Sequence, residues 1–230
     1  MSLSQWFRNK WVDRVRQFGL RVAYAQAIQA ALRPIWQVNR YIVIAMPDHH
    51  PNQYSQHAET KAATSAAIEA AAKRGDLNSR QYKQLQNFLA DGCWGLMAEI
   101  KGRLAGYGFI QPTGEYPFCY SGRFRIPKGM MVLKNLLVFP DFRGFSIGKN
   151  LNQARLAAIP EGCVPIVFVI VENRYAIRNL KMFGFQEILI VRRTTWFRKW
   201  AKQSIRILND CEIAHRLILG LENNEELNRS

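Results

Sequence analysis

Apolar and polar positions along the chain change period several times. Tyr41–Met46 (YIVIAM) is an unbroken apolar run that reads as a strand, cut by Pro47. Trp94–Ile100 and Leu104–Gln111 alternate and flank Lys101-Gly102-Arg103, the pattern of a hairpin. Met131–Phe139 and Val164–Val171 are branched apolar runs of buried-strand length, and Glu187–Arg193 and Thr194–Trp200 add two strand-like segments. Between them the spacing turns helical. Residues 3–36 carry Phe7, Trp11, Val15, Phe18 and Val22 on one side, with Arg8, Lys10, Arg14, Arg16 and Arg21 around the rest, a basic amphipathic helix. Ser55 is a candidate cap for a helix through the alanine-rich stretch to Lys73, with Gly75 past its end, and Ser79 for a second with Tyr82, Leu85 and Leu89 on one face. A tail over 202–221 shows the imperfect stripe Ile205, Leu208, Ile213, Leu217, Leu221.

The stretch that carries chemistry is 131–152. A strand ends at Pro140-Asp141. A small, basic turn follows, Arg143-Gly144-Phe145-Ser146-Ile147-Gly148-Lys149. A helical pattern then starts at Ile147 and continues through Leu151, Ala154 and Ala158. Helix N-termini present unpaired N–H groups and the positive end of the macrodipole, and glycines let a phosphate approach the backbone. Arg143 and Lys149 add charge, so the turn reads as a phosphate cradle. The second strand, 164–171, is followed by Glu172-Asn173-Arg174-Tyr175-Ala176 and, after a spacer, Gly184-Phe185.

These blocks together resemble the GNAT superfamily of acyl-CoA-dependent N-acyltransferases. The phosphate loop matches at Arg143-Gly144-Phe145-Ser146-Ile147-Gly148 after Val138-Phe139-Pro140. The later helix matches at Asn173, Ala176 and Gly184-Phe185. The likeness is good from about Cys93 to Phe197 and looser from Tyr41. It implies an α+β fold of three layers around a central, mostly antiparallel twisted sheet. A helical extension over 1–40 and a helical tail over 201–230 would flank a domain over 41–200. It further implies acyl-CoA as cosubstrate, with no metal, and an amine acceptor of unknown size. Backbone groups of Leu136, Leu137 and Val138 would hold the pantetheine arm, the Val138 N–H would polarise the thioester, 143–149 would hold the pyrophosphate, and Asn173 would bind the arm or a water.

Three positions depart from the family pattern. Ser146 stands where the loop usually has a glycine. Leu180 stands where many members carry the tyrosine acid, and Asn135 where many carry the glutamate base. The base and acid are therefore open. Glu115, Asp48, His49 and His50 are loop candidates for a base, and Glu99 lies on the hairpin facing solvent. Tyr175 and Tyr120 are candidates for the acid, set against a packing role. Tyr116, Phe118, Tyr120 and Phe124, in the long segment 112–129, would either wall an acceptor pocket or pack that segment down.

At 230 residues with 48% apolar content, the chain is one domain with additions. Its formal charge of +15 suggests an acidic partner: an anionic membrane surface or acidic peptide first, nucleic acid last, since no recognised nucleic-acid signature is present. Cys93, Cys119, Cys163 and Cys211 have no pairing-like spacing and read as reduced thiols, Cys93 and Cys163 as small core hydrophobes. His49, His50 and His57 read as solvated loop histidines. The expectation is a cytoplasmic enzyme, peripheral at the membrane if the N-terminal helix binds lipid, with homo-oligomerisation open. The competing reading is a catalytically weak CoA-binding or docking module.

Overall fold

The computed structural model describes Leu20 and residues 35–54, 60–119, 122–197 and 200–222. The amphipathic reading of 3–36 lies almost wholly outside these residues, as do Tyr120 and His57. The fold is α+β with mostly antiparallel strands, and its described residues form two compact bodies.

The first body spans 46–116 and 125–167. A strand at Thr60–Ala62 (β2) precedes two helices, Ser65–Lys73 (α1) and Ser79–Ala90 (α2). The α1 cap is Thr64, whose hydroxyl accepts from the Ala67 N–H, so the helix begins nine residues later than Ser55 would have placed it. The α2 cap is Asn78, in a reciprocal box with Gln81, and Ser79 is already the first helical residue. Ile68, Ala71 and Leu85 turn inward onto Met97, Leu104 and Phe109. The hairpin strands are Trp94–Ile100 (β3) and Arg103–Gln111 (β4), joined at Lys101 and Gly102, both at positive φ as a two-residue hairpin turn requires. β4 pairs antiparallel with Met130–Val138 (β7). The helix Ile147–Ala158 (α3) sets Ile147 and Leu151 against Ala98 and Ala105 on these strands. β8 (Val164–Ile170) starts here, parallel to β7 over Met130–Val132.

The second body comprises 35–45, 117–124 and 168–222 among the described residues. Its strands are Trp36–Ala45 (β1), Gln186–Trp196 (β9) and Trp200–Ile207 (β10), antiparallel with β9 in the middle. The end of β8 lies beside β1, where the Val171 N–H donates to the Arg40 carbonyl. Helices run over Arg174–Lys181 (α4) and Glu212–Glu222 (α5). Two boundaries need correction. β1 begins at Trp36, inside the expected 1–40 extension. The expected helical tail over 201–230 opens with β10, whose ladder to β9 reaches Ile207, so that the helix starts only at Glu212. The mixed polar and branched sequence KQSIRI fits a two-sided strand better than a helix stripe.

The segment 112–129 is also more ordered than a loop. It holds two short strands, Glu115–Pro117 (β5) and Arg123–Arg125 (β6). Phe118 packs edge-on against Tyr41 and stacks on Phe168, and Phe124 leans on Phe168. Both are buried, so these two aromatics pack the segment down rather than wall a pocket. Among the described residues, no helix is long and apolar enough to cross a membrane.

Candidate active site

The site strand is β7, and its geometry turns on one residue. Tyr107 faces Leu137 and Phe109 faces Lys134, so two residues of β7, Asn135 and Leu136, oppose Gly108 alone. This is a β-bulge, with Asn135 at φ +51°. Asparagine is among the few non-glycine residues that visit this left-handed region readily, which gives Asn135 a backbone role that needs no acid–base chemistry. β4 makes room with glycines. A Cβ on Gly106 would stand 2.6 Å from the Leu137 carbonyl oxygen, and one on Gly108 would stand 2.9 Å from Arg155 Cδ. Sequence reading passed over these glycines, although glycine inside a strand pattern signals a bulge or a close backbone approach.

Beyond the bulge the ladder alternation decides where the amides point. The Phe139 N–H donates to the Ala105 carbonyl at 3.0 Å, and Val138 faces Gly106. Val138 is therefore at a non-hydrogen-bonded position, and its own N–H and C=O point away from β4. On that side, β7 is paired with β8 only over Met130–Val132. Leu136 is exposed, and Leu137 and Val138 are half-buried.

The chain then turns through Pro140–Phe142 into the cradle. Gly144 has φ +91° and Ser146 φ +59°, so the loop alternates hand, an arrangement that gathers backbone N–H groups into a concavity. Ser146 is the N-cap of α3, yet its side chain makes no capping bond, and α3 has no acidic residue in its first turn. The Asn150 N–H is the first to bond within the helix, to the Ser146 carbonyl, leaving the amides of Ile147, Gly148 and Lys149 without an intrahelical acceptor. Arg143, Phe145 and Lys149 are exposed, whereas Ile147 is buried and anchors the turn. The donors, the dipole and the two cations suit an anion of the phosphate type.

Behind the bulge, Arg155 is 2% exposed. One of its terminal nitrogens donates to the carbonyls of Phe109 (3.5 Å) and Lys134 (3.3 Å), the other to Asn152 Oδ1, while Nε is buried without a partner among the described residues. Burial pushes the guanidinium down to about 9. Lys134 is buried too, donating to Gln111 Oε1 at 2.9 Å and lying 4.1 Å from the centre of the Phe88 ring. Neither cation was singled out from sequence, since a basic residue in an apolar run gives no sign of its burial.

Several base candidates are otherwise engaged. His49 is buried, not solvated. Its Nε2 donates to the Leu156 carbonyl at 2.9 Å, in the last turn of α3, and its ring stacks on Tyr54. Burial lowers its pKa, with the Leu156 bond opposing and His50 adding to the effect. It thus sits at the opposite end of α3 from the cradle, roughly 15–18 Å away for a helix of this length. Burial pulls Glu99 up, but Lys61 and Arg74 outweigh it and hold its carboxyl below the usual range. Asp48 and Glu115 are exposed, and His50 lies 3.7 Å from Glu161.

Asn173 and Leu180 lie in the second body. Asn173 is the N-cap of α4 and its Oδ1 accepts from the Ala176 N–H at 3.2 Å, so the N-x-x-A spacing is that of a cap. Leu180 is buried, while Tyr175 is exposed.

The cradle and the bulged strand are matched over residues 62–185 by the model of the acetyltransferase (GNAT) family. The chain belongs to that family. Among solved structures, it resembles a tandem GNAT protein from the clavulanic acid biosynthesis pathway, at 16% identity over 75% of this chain and 58% of that one, with TM-score 0.51. It also resembles a GNAT-family protein from Novosphingobium aromaticivorans, at 16% identity over 69% of this chain and 64% of that one, with TM-score 0.48. A third is an aminoglycoside N-acetyltransferase in complex with CoA, at 20% identity over 56% of this chain and 91% of that one, with TM-score 0.40. The chain spans about six-tenths of the length of the first of these structures. No curated protein matches.

Proposed function

We propose that this protein transfers an acyl group from acyl-CoA to an amine. The observation that carries the reading is the open edge of β7 beyond its bulge, with the Val138 amide directed away from β4 and the uncapped N-terminus of α3 two turns of chain further on. Acyl-CoA fits these residues by its chemistry: a diphosphate for the amides of 147–149 with Arg143 and Lys149, and an amide-bearing arm for the backbone of Leu136–Val138. The exchange of a thioester for an amide needs a polarised carbonyl, which the Val138 N–H would supply. The amine acceptor and the length of the acyl group stay open in this proposal. With Leu180 and Asn135 at the usual acid and base positions, proton transfer falls to water or to the substrates themselves. The test is thiol release from acetyl-CoA and longer acyl-CoAs, measured with a panel of amines and peptides. Stoichiometric amide formation that disappears in a folded Gly148→Glu variant supports the proposal, and calorimetry that detects no CoA binding by the wild type overturns it.

A further inference from the structure

The three strands of the second body have one face under α5 and, among the described residues, a second face that is open from the Trp36 end as far as Arg40 and buried beyond, at Ile42 and Ile44. On the covered face lie Val191, Arg193 and Thr195, all buried, and α5 is tied there through Gln203 Nε2 to the Leu221 carbonyl. The open face has a composition that the linear sequence scatters over 170 residues. The registers Trp36↔Trp196 and Trp200↔Trp196 put three tryptophans in one rung across β1, β9 and β10. They are 40%, 37% and 64% exposed, and Phe197, packed edge-on against Trp200, is exposed beside them. Two positions along is Val38–Thr194–Lys202, then Arg40–Arg192–Ser204, then Arg206 beside Ile190. Because side chains of period two share a face, these rungs form one surface. Val38, Arg40, Ile190, Arg192, Ser204 and Arg206 line a recess in it of about 510 Å³.

Two features of this surface ask for a ligand. Arg40 and Arg192 are directly opposed across strands, an arrangement that repels unless an anion bridges it. Among the described residues of the three strands, no acid lies in the rungs from Trp36 to Arg206. The one carboxylate on the three strands is Glu187, opposite Ile44 beyond the β9 bulge, which puts it at the far end of this face beside the buried Ile44, where Lys181 holds it at 2.7 Å. No salt bridge of Arg40, Arg192 or Arg206 exists among the described residues. An array of aromatic faces beside arginines and a lysine is the chemistry that holds an unstacked polynucleotide: bases stack on rings, and phosphates meet guanidinium forks.

We propose that the open face of β1, β9 and β10 binds single-stranded nucleic acid, bases against the Trp36–Trp196–Trp200 rung and phosphates in the Arg40–Arg192–Arg206 recess. A recessed position of the arginines favours this over a membrane plane, which would meet cations that protrude. The overall charge of +15 supplies long-range attraction. The site stands apart from the acyl-transfer proposal, since none of its residues belongs to the cradle or to β7.

The test uses full-length protein and a labelled single-stranded RNA of mixed sequence, read by anisotropy and by tryptophan emission. Binding should quench tryptophan, and its log affinity should fall with log salt at a slope of about −2 to −3, as three or four phosphate contacts require. Trp200→Ala and Arg192→Gln should each weaken binding about tenfold, and Arg192→Gln should lower the slope by about 0.7. Both variants should keep the melting temperature and CoA affinity of the wild type. Unchanged RNA binding in these folded variants, equal affinity for double-stranded RNA, binding without a change in tryptophan emission, or binding of anionic vesicles with none of RNA would each overturn the proposal.

Discussion

Gly148 lies directly against Val138: a Cβ built on it would stand 3.5 Å from Val138 Cγ2, an ordinary contact. The amide of the cradle and the outward amide of the strand are thus set by one packing contact. Because there is room for the Cβ, Gly148→Glu should fold. A carboxylate in the first turn even favours the helix by about 0.3–1 kcal/mol. The same carboxylate occupies the place of an anion. We expect an unchanged or slightly raised melting temperature with CoA affinity reduced at least a hundredfold by calorimetry, while Gly148→Ala binds within a few-fold of wild type.

Ser146 holds φ +59° at the cap without a capping bond. A non-glycine residue there costs on the order of 1 kcal/mol, so Ser146→Gly should stabilise the fold by somewhat less than that, after the entropy of the unfolded glycine is counted. The expected gain is about 1–3 °C in a thermal melt, with CoA affinity retained. A lower melting temperature would show that the serine hydroxyl contributes something the cap geometry does not reveal.

Asn173 separates two roles by substitution. Asn173→Ala removes the bond to the Ala176 N–H and should cost about 1 kcal/mol. Asn173→Ser restores a cap, so its melting temperature should return towards wild type. If kcat/KM recovers with it, the residue acts through α4; if stability recovers and kcat/KM does not, the asparagine amide itself serves the substrate. Leu180→Ala should lower stability through the lost packing of a buried side chain, with kcat following the folded fraction.

His49 predicts a pH dependence. Its folded pKa lies below the ordinary value of 6.5, burial being the main cause. The unfolded chain therefore binds the proton more readily, so the stabilisation is fully present above 6.5 and is lost as pH falls through the lowered folded value. Melting temperatures measured between pH 7.5 and 5 should decline for wild type more steeply than for His49→Gln. Parallel curves would remove His49 as the source.

The sequence made the cradle legible because its chemistry is local: strand, proline, two glycines, basic residues and a helical stripe, all within 131–152. The hairpin was legible for the same reason. What escaped was pairing. Nothing in YIVIAM states that β1 lies beside β9, and a strand that starts with WQVNR before the apolar run reads as the end of a helix. Likewise β10 reads as helix in the sequence because Ile205 and Leu208 fit a helical spacing by chance. The tryptophan rung is invisible until register is known. Arg155 and Lys134 were missed because burial of a cation depends on carbonyls and rings contributed by distant strands. The resemblance makes Asn173 a binding residue, although its spacing to Ala176 is also that of a helix cap.

The bulge at Asn135 works as a phase shift. A ladder of period two offers alternate amides to opposite edges, and one extra residue exchanges the two sets for everything downstream. Close the bulge with Asn135 kept and paired in step opposite Gly108: Val138 would then face Ala105 instead of Gly106, at a position whose N–H turns inward to β4. The outward edge would keep its length and its apolar character, yet the amide offered at that point would belong to a neighbour. Pairing Asn135 in step is thus a change of parity rather than of composition, and every later member of the strand, down to the turn that enters the cradle, inherits it.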